Sequence, residues 1–403
     1  MSLLTHLDDT FGHAEDFNAI DKLMSFIDPD LLQQAYELSG VATVRRRRLP
    51  LDSVVLTIVG MSLFRNDPVW DIANKLDVSL PGKNRFVAPS AVVQARQRLG
   101  DEAIGHAFKL MAQRAFGKYA FEQWCGLNVL AVDGVMFRAQ DTAENVAAFG
   151  CDRNAKGDNP YPQVRMCSLM ETSSHLLLAS EFDCRDVGEM SLAERLIPSV
   201  PDNSLTLFDR GYYSLGLLYR WVTKGANTHW MLPARKDLQY TVKHQLSEHD
   251  AVVTLKTSPQ ARRKFEGLPA TIDTRLTSYE VDGKTYRVLS SMVDAMQFPY
   301  EEIVDVYVQR WEIELGFREM KQSLHQAKLT LRSKKPEMVR QELWGLLLAY
   351  NLIRMMMLDA VKDMPELSPS RLSFSLCMRH IIVFFLTTIP DTVTKLPVHY
   401  EYL

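Results

Sequence analysis

Cysteine is scarce. The chain has five in 403 residues (Cys125, Cys151, Cys167, Cys184 and Cys377), and none are spaced C-x-x-C. That argues against a disulfide framework or a zinc knuckle and for a reducing cytosol. A surplus of either charge is also missing. Lys and Arg number 46 against 49 Asp and Glu, a formal net of −3. A uniformly basic protein of the histone or ribosomal kind is excluded, although a local basic patch can still grip nucleic acid. Long apolar runs are lacking too. Leu51–Phe64, Leu343–Leu358 and Ile381–Ile389 are the most apolar segments, and Asn351 and Arg354 interrupt the second. Each is too short or too broken for the ~20 residues a membrane span needs. All three read as buried helices, and no membrane partner is expected. The opening MSLLTHLDDTFGHAEDF carries early acids and no apolar core, unlike a signal peptide. Neither H-E-x-x-H nor G-x-S-x-G occurs. Gly283-Lys284-Thr285 imitates the end of a phosphate loop, but Ser278 stands where its first glycine belongs.

What is present suits a chain that buries a core: 46% apolar and 24% charged residues. At ~150 residues per domain its length predicts two or three domains. Residues 1–120 read as helical, with apolar positions at helical spacing in Leu51–Phe64, Trp70–Leu76, Ala91–Leu99 and Ala103–Phe116. Asp52 and Ser90 are plausible N-caps. The texture changes near residue 127. Leu127–Val132 is a candidate buried strand, and Val164–Met170 with His175–Ser180 reads as a hairpin. Met190–Ile197 and Leu215–Val222 read as helices, Ser204–Phe208 and His229–Leu232 as strands. This order suits a mixed sheet flanked by helices. Residues 236–298, rich in Thr, Val and Tyr, read as an all-β insertion. Its strands are Val252–Lys256, Ala270–Val281 and Lys284–Ser291, with turn signals at Ser258-Pro259 and Asp282-Gly283. From Tyr300 onward the chain is helical. The expected division is 1–120, 121–235, 236–298 and 299–403.

Two aspartates share a context. Asp133 follows LNVLAV and Asp209 follows SLTLF. Each is a carboxylate at the C-terminal end of an apolar strand, where side chains emerge into the crevice of an α/β sheet. The alternative for each is a turn former or helix cap. A third element adds weight. Tyr307, Arg310, Glu314 and Lys321 lie at offsets 0, 3, 7 and 14 on one predicted helix. At ~100° per residue they fall within an arc of roughly 60°. One face then carries a carboxylate, two cations and a phenol. An Arg310–Glu314 pair on a solvated helix is the alternative.

The string YVQRWEIELGFREMK (Tyr307–Lys321) matches the Tyr-(2)-Arg-(3)-Glu-(6)-Lys signature of the insertion-sequence-four family of bacterial transposases, within the DDE superfamily. AVDGVMFRAQDTAENVAAFG (Ala131–Gly150) resembles the block around that family's first catalytic aspartate, and LFDRGYYS (Leu207–Ser214) the block around the second. RRRRLP (Arg45–Pro50) and QARQRLG (Gln94–Gly100) resemble its DNA-binding region. The resemblance spans roughly residues 40 to 325, in the family's order. It implies an α/β fold: a ribonuclease-H-like catalytic core interrupted by a β-rich insertion, with an all-α N-terminal DNA-binding domain.

The implied activity is a cut-and-paste DNA transposase that binds terminal inverted repeats, cleaves the element's ends through a hairpin and joins the 3′ ends to target DNA. Phosphodiester chemistry of this kind uses two Mg²⁺ ions about 3.5–4 Å apart, for which Mn²⁺ substitutes. By the resemblance Asp133 bridges the ions, while Asp209 and Glu314 hold one each. Tyr307, Arg310 and Lys321 grip phosphates beside them. The partners implied are double-stranded DNA, as element ends and as target, and a second copy of the chain in a homodimer on DNA. The setting is the bacterial cytoplasm, on the nucleoid. Some hairpin-forming relatives stack a displaced base on a Trp in the insertion's last strand, where this sequence has Tyr286. Trp311, beside Arg310, is a second candidate for stacking. A cross-strand pair is the alternative for Tyr286, and core packing for Trp311.

DNA must also be held. Arg45, Arg46, Arg47 and Arg48 form a run of four cations, with a solvated loop as the alternative. Trp70–Leu76 and Ser90–Leu99 could form a helix-turn-helix with a long turn, on which Gln94, Gln97 and Arg98 share a face able to read base edges. Arg262, Arg263, Lys264, Arg332, Lys334 and Lys335 are further candidate phosphate contacts. Asp141 and Glu144 read as a helix cap, and His325 is not required by the signature. Met355–Met357, Trp221, Trp230 and Trp344 read as core. Two other functions fit less well: a catalytically inactive DNA-binding derivative, and another metal-dependent nuclease on the same fold.

Overall fold

A computed structural model describes residues 27–41, 50–75, 88–152, 159–281, 283–324, 330–364 and 367–387. Arg45–Arg48 and His325 lie outside the described residues. Among the described residues, five helices come first: α1 (Pro29–Leu38), α2 (Leu51–Leu63), α3 (Val69–Lys75), α4 (Pro89–Leu99) and α5 (Glu102–Lys118). Next are β1 (Gln123–Trp124), β2 (Leu127–Arg138), α6 (Ala143–Phe149), β3 (Cys151–Asp152), β4 (Asn159–Glu171), β5 (Leu177–Cys184) and α7 (Glu189–Leu196). Alternation follows in β6 (Ser204–Leu207), α8 (Leu215–Val222) and β7 (Thr228–Pro233). Then come β8 (Thr241–Ser247), β9 (Asp250–Lys256), α9 (Pro259–Lys264), β10 (Thr271–Val281) and β11 (Lys284–Ser290). The last described elements are α10 (Tyr300–Val308), α11 (Trp311–Glu319), a π-turn at Met320–Leu324, α12 (Pro336–Val361) and α13 (Phe374–Thr387).

These elements form two compact units. One comprises Met1–Tyr119, Ala139–Ala148 and Arg318–Leu403. The other comprises Ala120–Arg138 and Phe149–Phe317.

The described part of the first unit is helical and built around α12. That helix is long and apolar enough to cross a membrane, and 83% of its apolar window is buried. Met355, Met357 and Trp344 are buried on it, as read from the sequence. A Cβ at Gly345 would come within 2.4 Å of Ile58 Cγ2, so the glycine lets α12 approach α2 closely. One buried acid in this core is held by several partners, as burial favours. Glu342 is bonded by Arg65 and accepts from the hydroxyl and N–H of Ser333 at 2.6 and 3.0 Å. Two expected caps are corrected. Helix α4 starts at Pro89 behind Ala88, because proline's fixed φ suits the first helical position. Helix α2 follows Pro50, and Asp52 instead accepts from the Tyr36 hydroxyl at 2.8 Å.

Among the described residues, the second unit is one mixed sheet of eleven strands with helices packed on it. Its main path runs β3-β4-β2-β6-β7-β11-β10-β9-β8, with β5 on β4 and β1 on β2. Strand β2 is antiparallel to β4 and parallel to β6, and β6 is parallel to β7. The run Val129–Val132 of β2 is buried on both faces, as a central strand requires. Trp221 and Trp230 are core, and Trp221 Nε1 donates to Thr206 Oγ1 at 3.0 Å. The strands of 236–298 continue the same sheet, because β11 pairs antiparallel with β7. Two of its elements have no clear signal in the sequence. Strand β8 is exposed throughout. Helix α9 begins at the Ser258-Pro259 step, which reads as a turn. Ser258 Oγ accepts from the Ala261 N–H at 3.0 Å and Pro259 occupies the first turn, so the same two residues start a helix. Buried Arg275 holds Asp250 through two bonds of 2.8 and 2.6 Å and donates to the Phe298 carbonyl.

Candidate active site

Asp133 and Asp209 leave neighbouring strands at the same level. The last parallel rung between β2 and β6 is Ala131↔Leu207, and each aspartate stands two residues beyond it. Asp209 keeps extended backbone (φ −79°, ψ 174°) and caps the turn Arg210–Tyr212, its Oδ1 accepting from the Gly211 N–H at 2.7 Å. It is thus a turn former and a candidate site carboxylate at once. Asp133 does not end its strand. Strand β2 runs on to Arg138 against β4, with Asp133 opposite Ser168. Only its parallel pairing with β6 stops. Asp133 Oδ1 accepts from the Gly134 N–H at 2.8 Å.

The single signature helix expected from spacing is corrected. Helix α10 ends at Val308, and α11 begins at Trp311. Between them three-residue bonds tighten the chain: Gln309 N–H to Val306, Arg310 N–H to Tyr307 and Glu312 N–H to Gln309, at 3.2, 3.1 and 3.0 Å. A 3₁₀ turn changes the phase by only ~20° per residue, so apolar spacing does not register the joint. Tyr307 lies on α10, Arg310 in the joint and Glu314 on α11. Lys321 lies in the π-turn, which belongs to the first unit.

Carboxylates outnumber cations among these residues of the sheet unit, where Asp133, Asp209 and Glu314 act with Arg310 alone. Arg310 Nη2 lies 2.9 Å from Glu314 Oε1. Burial works against the Arg310 charge, yet Tyr307, Glu314 and Asp133 hold its pKa above the ordinary value. The Tyr307 hydroxyl donates to the carbonyl of Phe208, next to Asp209, at 3.1 Å, and burial pushes its pKa up. Burial also pushes Asp133 up to about 6, and the charges of Asp209 and Glu314 act in the same direction. The structure therefore brings Asp133, Asp209, Tyr307, Arg310 and Glu314 together.

Two neighbours were missed from the sequence. A Cβ on Gly134 would stand 2.8 Å from Glu189 Oε1. A fourth acid therefore packs against the backbone beside Asp133, its only signal being an acid that opens the helix after β5. Across from Gly134 on β4 lies Cys167, its cross-strand partner, with Sγ 3.5 Å from the Tyr212 hydroxyl. Burial pushes this thiol up to about 12, so it stays protonated.

The other sequence-selected residues are more scattered. Tyr286 on β11 opposes Tyr279 on β10 and the rings stack 5.5 Å apart, yet Tyr286 remains 46% exposed. Core packing for Trp311 is corrected: it is 57% exposed, with the Arg310 guanidinium 5.0 Å over its ring. Gln94, Gln97 and Arg98 are exposed on α4, while Arg96 turns inward, where its Nε donates to Gln341. Helices α3 and α4 are described; the turn joining them is not. Arg263 and Lys264 are exposed on α9, with Lys264 3.2 Å from Glu194. Arg262 bends back on its own helix start, donating to the Thr257 carbonyl at 2.7 Å. Arg332 is corrected as a phosphate contact. Its guanidinium donates to the carbonyls of Asp67 and Met61. Met61 lies in the last turn of α2, where carbonyls lack helical partners and accept from other donors. Lys334 and Lys335 are exposed. Thr142, rather than Asp141, caps α6, its Oγ1 accepting from the Asn145 N–H at 3.2 Å.

Among the described residues, no group of three or more His, Cys, Asp or Glu side chains is placed to hold a metal ion. The donor chemistry nevertheless fits a hard divalent cation. Asp133, Asp209 and Glu314 offer only oxygen, and a cation would relieve the repulsion that raises Asp133.

Residues 124–352 match the family described as Transposase DDE domain, and residues 17–109 match Insertion element 4 transposase N-terminal. The chain is 49% identical over 358 residues to the transposase InsG for insertion sequence element IS4 of Escherichia coli (strain K12), covering 89% of this chain and 81% of that one. It is 39% identical over 211 residues to the putative transposase InsZ of the same organism, covering 51% and 69%. The chain belongs to the DDE transposases, in the insertion-element-4 family. These are enzymes that cut DNA and transfer the cut strand, with a dependence on divalent metal. A solved structure of piggyBac transposase, in a synaptic complex with hairpin DNA, has a TM-score of 0.48 at 10% identity, covering 96% of this chain and 84% of that one.

Proposed function

We propose that this chain is a cut-and-paste transposase. It binds the terminal inverted repeats of its element as double-stranded DNA, cleaves both strands at each end through a hairpin, and joins the 3′ ends to target DNA. The observation that carries this reading is the β2–β6 pairing that sets Asp133 and Asp209 two residues past the same rung, with Arg310 paired to Glu314, in a chain of this family. The strand order β5-β4-β2-β6-β7, three antiparallel strands and then two parallel ones, supports a ribonuclease-H-like core with β8–β11 as its insertion. In this reading residues 1–120 bind DNA and residues 121–235 and 299–403 contain the catalytic parts. The protein acts as a homodimer on DNA, on the bacterial nucleoid and away from any membrane.

Asp133, Asp209 and Glu314 would hold the metal, read as two Mg²⁺ ions with Mn²⁺ as a substitute; when bound, it supplies an activated oxygen nucleophile and a stabilised leaving oxygen. The other steps belong to the chain. Arg310 neutralises Glu314 in the free protein. An incoming phosphate competes for that guanidinium and frees a Glu314 oxygen. Tyr307, bonded to the Phe208 carbonyl, keeps Asp209 at the level of Asp133. Lys321 adds a further phosphate contact in the assembled complex.

The test is purified protein with DNA carrying its own element's ends, in Mg²⁺. Nicked and then hairpin product is expected at the ends. End binding without cleavage would favour an inactive DNA-binding derivative. Cleavage indifferent to the ends would favour another nuclease.

A further inference from the structure

The turn Glu171–Leu176 between β4 and β5 touches both carboxylate-bearing elements. Thr172 Oγ1 lies 3.1 Å from the Val129 carbonyl on β2 and 2.9 Å from Gln309 Oε1 in the joint ahead of α11. The Thr172 N–H also donates to Val129, at 3.0 Å. His175 Nε2 donates to Glu312 Oε2 at 2.6 Å. Asp133 lies four residues beyond Val129, and Glu314 two beyond Glu312.

This turn is firmly held in place. Glu171 is fully buried. Its carboxylate accepts from the N–H and hydroxyl of Ser173 at 3.0 and 2.8 Å, and from those of Ser174 at 2.8 and 2.5 Å. His175 sits at φ +61°, a left-handed conformation that a side-chain-bearing residue keeps only where its surroundings impose it. Its ring is buried. Glu312 and Glu314 project about 200° apart around α11. The grip on Glu312 is therefore on the back of the helix, and the front is left to Arg310 and Glu314. The joint at Gln309–Arg310 would let α11 turn against α10. One contact at the joint and another three residues later remove that freedom.

We infer that His175 and Thr172 are positioning residues that set where Glu314 stands relative to Asp133. The inference rests on the proposed role of Glu314 as a catalytic carboxylate. The experiment compares full-length wild type with His175→Ala, His175→Gln, Glu312→Ala and the double alanine variant. In His175→Ala, Mg²⁺-dependent nicking of element ends should slow ~10- to 100-fold, the scale on which small misplacements act. End binding and melting temperature should stay near wild type. More Mg²⁺ should be needed for half-maximal nicking. His175→Gln, which retains a donor, should recover most of the rate. The double variant should be no slower than the slower single one, because both remove the same bond. Amide hydrogen exchange at Ile313–Gly316 should quicken in His175→Ala, a readout that needs no cleavage. Wild-type nicking with unchanged exchange would overturn the inference. So would slow nicking that comes with lost end binding and a lowered melting temperature. If wild-type protein does not nick, the proposed function fails, and exchange alone decides the role of the turn.

Discussion

Asp133 and Asp209 stand two residues past the same parallel rung, Ala131↔Leu207, on strands that lie side by side. A register slip of one residue on β2 would point Asp133 to the opposite face of the sheet. The site therefore depends on strand pairing as well as on residue identity.

Replacing Asp133, Asp209 or Glu314 with Ala should each cut nicking by at least ~10³-fold, the effect of losing several kcal/mol of charge stabilisation. End binding should be largely retained, since it rests on other contacts. Ca²⁺ should support assembly without cleavage. A gel-based nicking assay beside a mobility-shift assay measures both. Substantial Mg²⁺-dependent nicking in any one variant would remove that residue from the catalytic set.

The raised proton affinity of Asp133 has two consequences with definite signs. Its pKa is about 6 in the folded chain against an ordinary 3.8. The folded state therefore binds the extra proton between these values, and stability falls as pH rises through that window. Asp133→Asn should raise the melting temperature at pH 7.5 and approach wild type near pH 4. On the proposed metal role of Asp133, proton and metal would compete for the same oxygens. The acidic limb of nicking should lie near pH 6 at low Mg²⁺ and move to lower pH as Mg²⁺ rises. A limb that ignores Mg²⁺ concentration would mean another group controls it.

Arg332→Ala should act on stability. Charge-assisted bonds to backbone carbonyls contribute ~1.5–3 kcal/mol each, and Arg332 makes two. A loss of about 3 kcal/mol is expected in urea unfolding, with the salt dependence of DNA binding unchanged. A flatter salt slope at unchanged stability would restore it as a phosphate contact.

On the helical unit, base reading and phosphate holding should separate. Gln94 and Arg98 are exposed on α4; removing either should relax discrimination for the ends by ~1–3 kcal/mol. Replacing Arg45–Arg48 with Ala should weaken binding to all DNA and flatten its salt slope by up to ~0.9 per lost phosphate contact. Competition between end and random DNA distinguishes them. Equal effects on both DNAs would show that α4 is not the reading helix.

Tyr286 already stacks on Tyr279, with part of its ring exposed. A displaced base could extend that stack, for ~1–3 kcal/mol. Tyr286→Ala should then leave first-strand nicking intact, slow hairpin closure and let nicked ends accumulate. Tyr286→Trp should be tolerated. Unchanged hairpin rates in Tyr286→Ala would leave the pair a purely structural cross-strand contact.

Much of this was legible in order along the chain. Alternating and apolar patterns located β2, β4, β6, β7, β9, β10 and β11, because each strand's burial is written in its own few residues. The signature residues Tyr307, Arg310 and Glu314 were recognisable because their spacing is local. Strand β8 escaped because it is an exposed edge with no buried face to impose a pattern. The joint between α10 and α11 escaped because a 3₁₀ turn hardly disturbs helical phase.

Residue type and spacing thus determined which carboxylates to suspect and which family the chain resembles. Tertiary structure decided their company. Pairing of β2 with both β4 and β6 put Asp133 beside Asp209 while its own strand continued. The same folding set Glu189 against Gly134, and His175 against Glu312 across 137 residues of chain. It also turned Arg332 inward, where a run of basic residues had suggested a surface. Such contacts arise between segments far apart in sequence, and only closure of the intervening chain brings them within hydrogen-bonding reach.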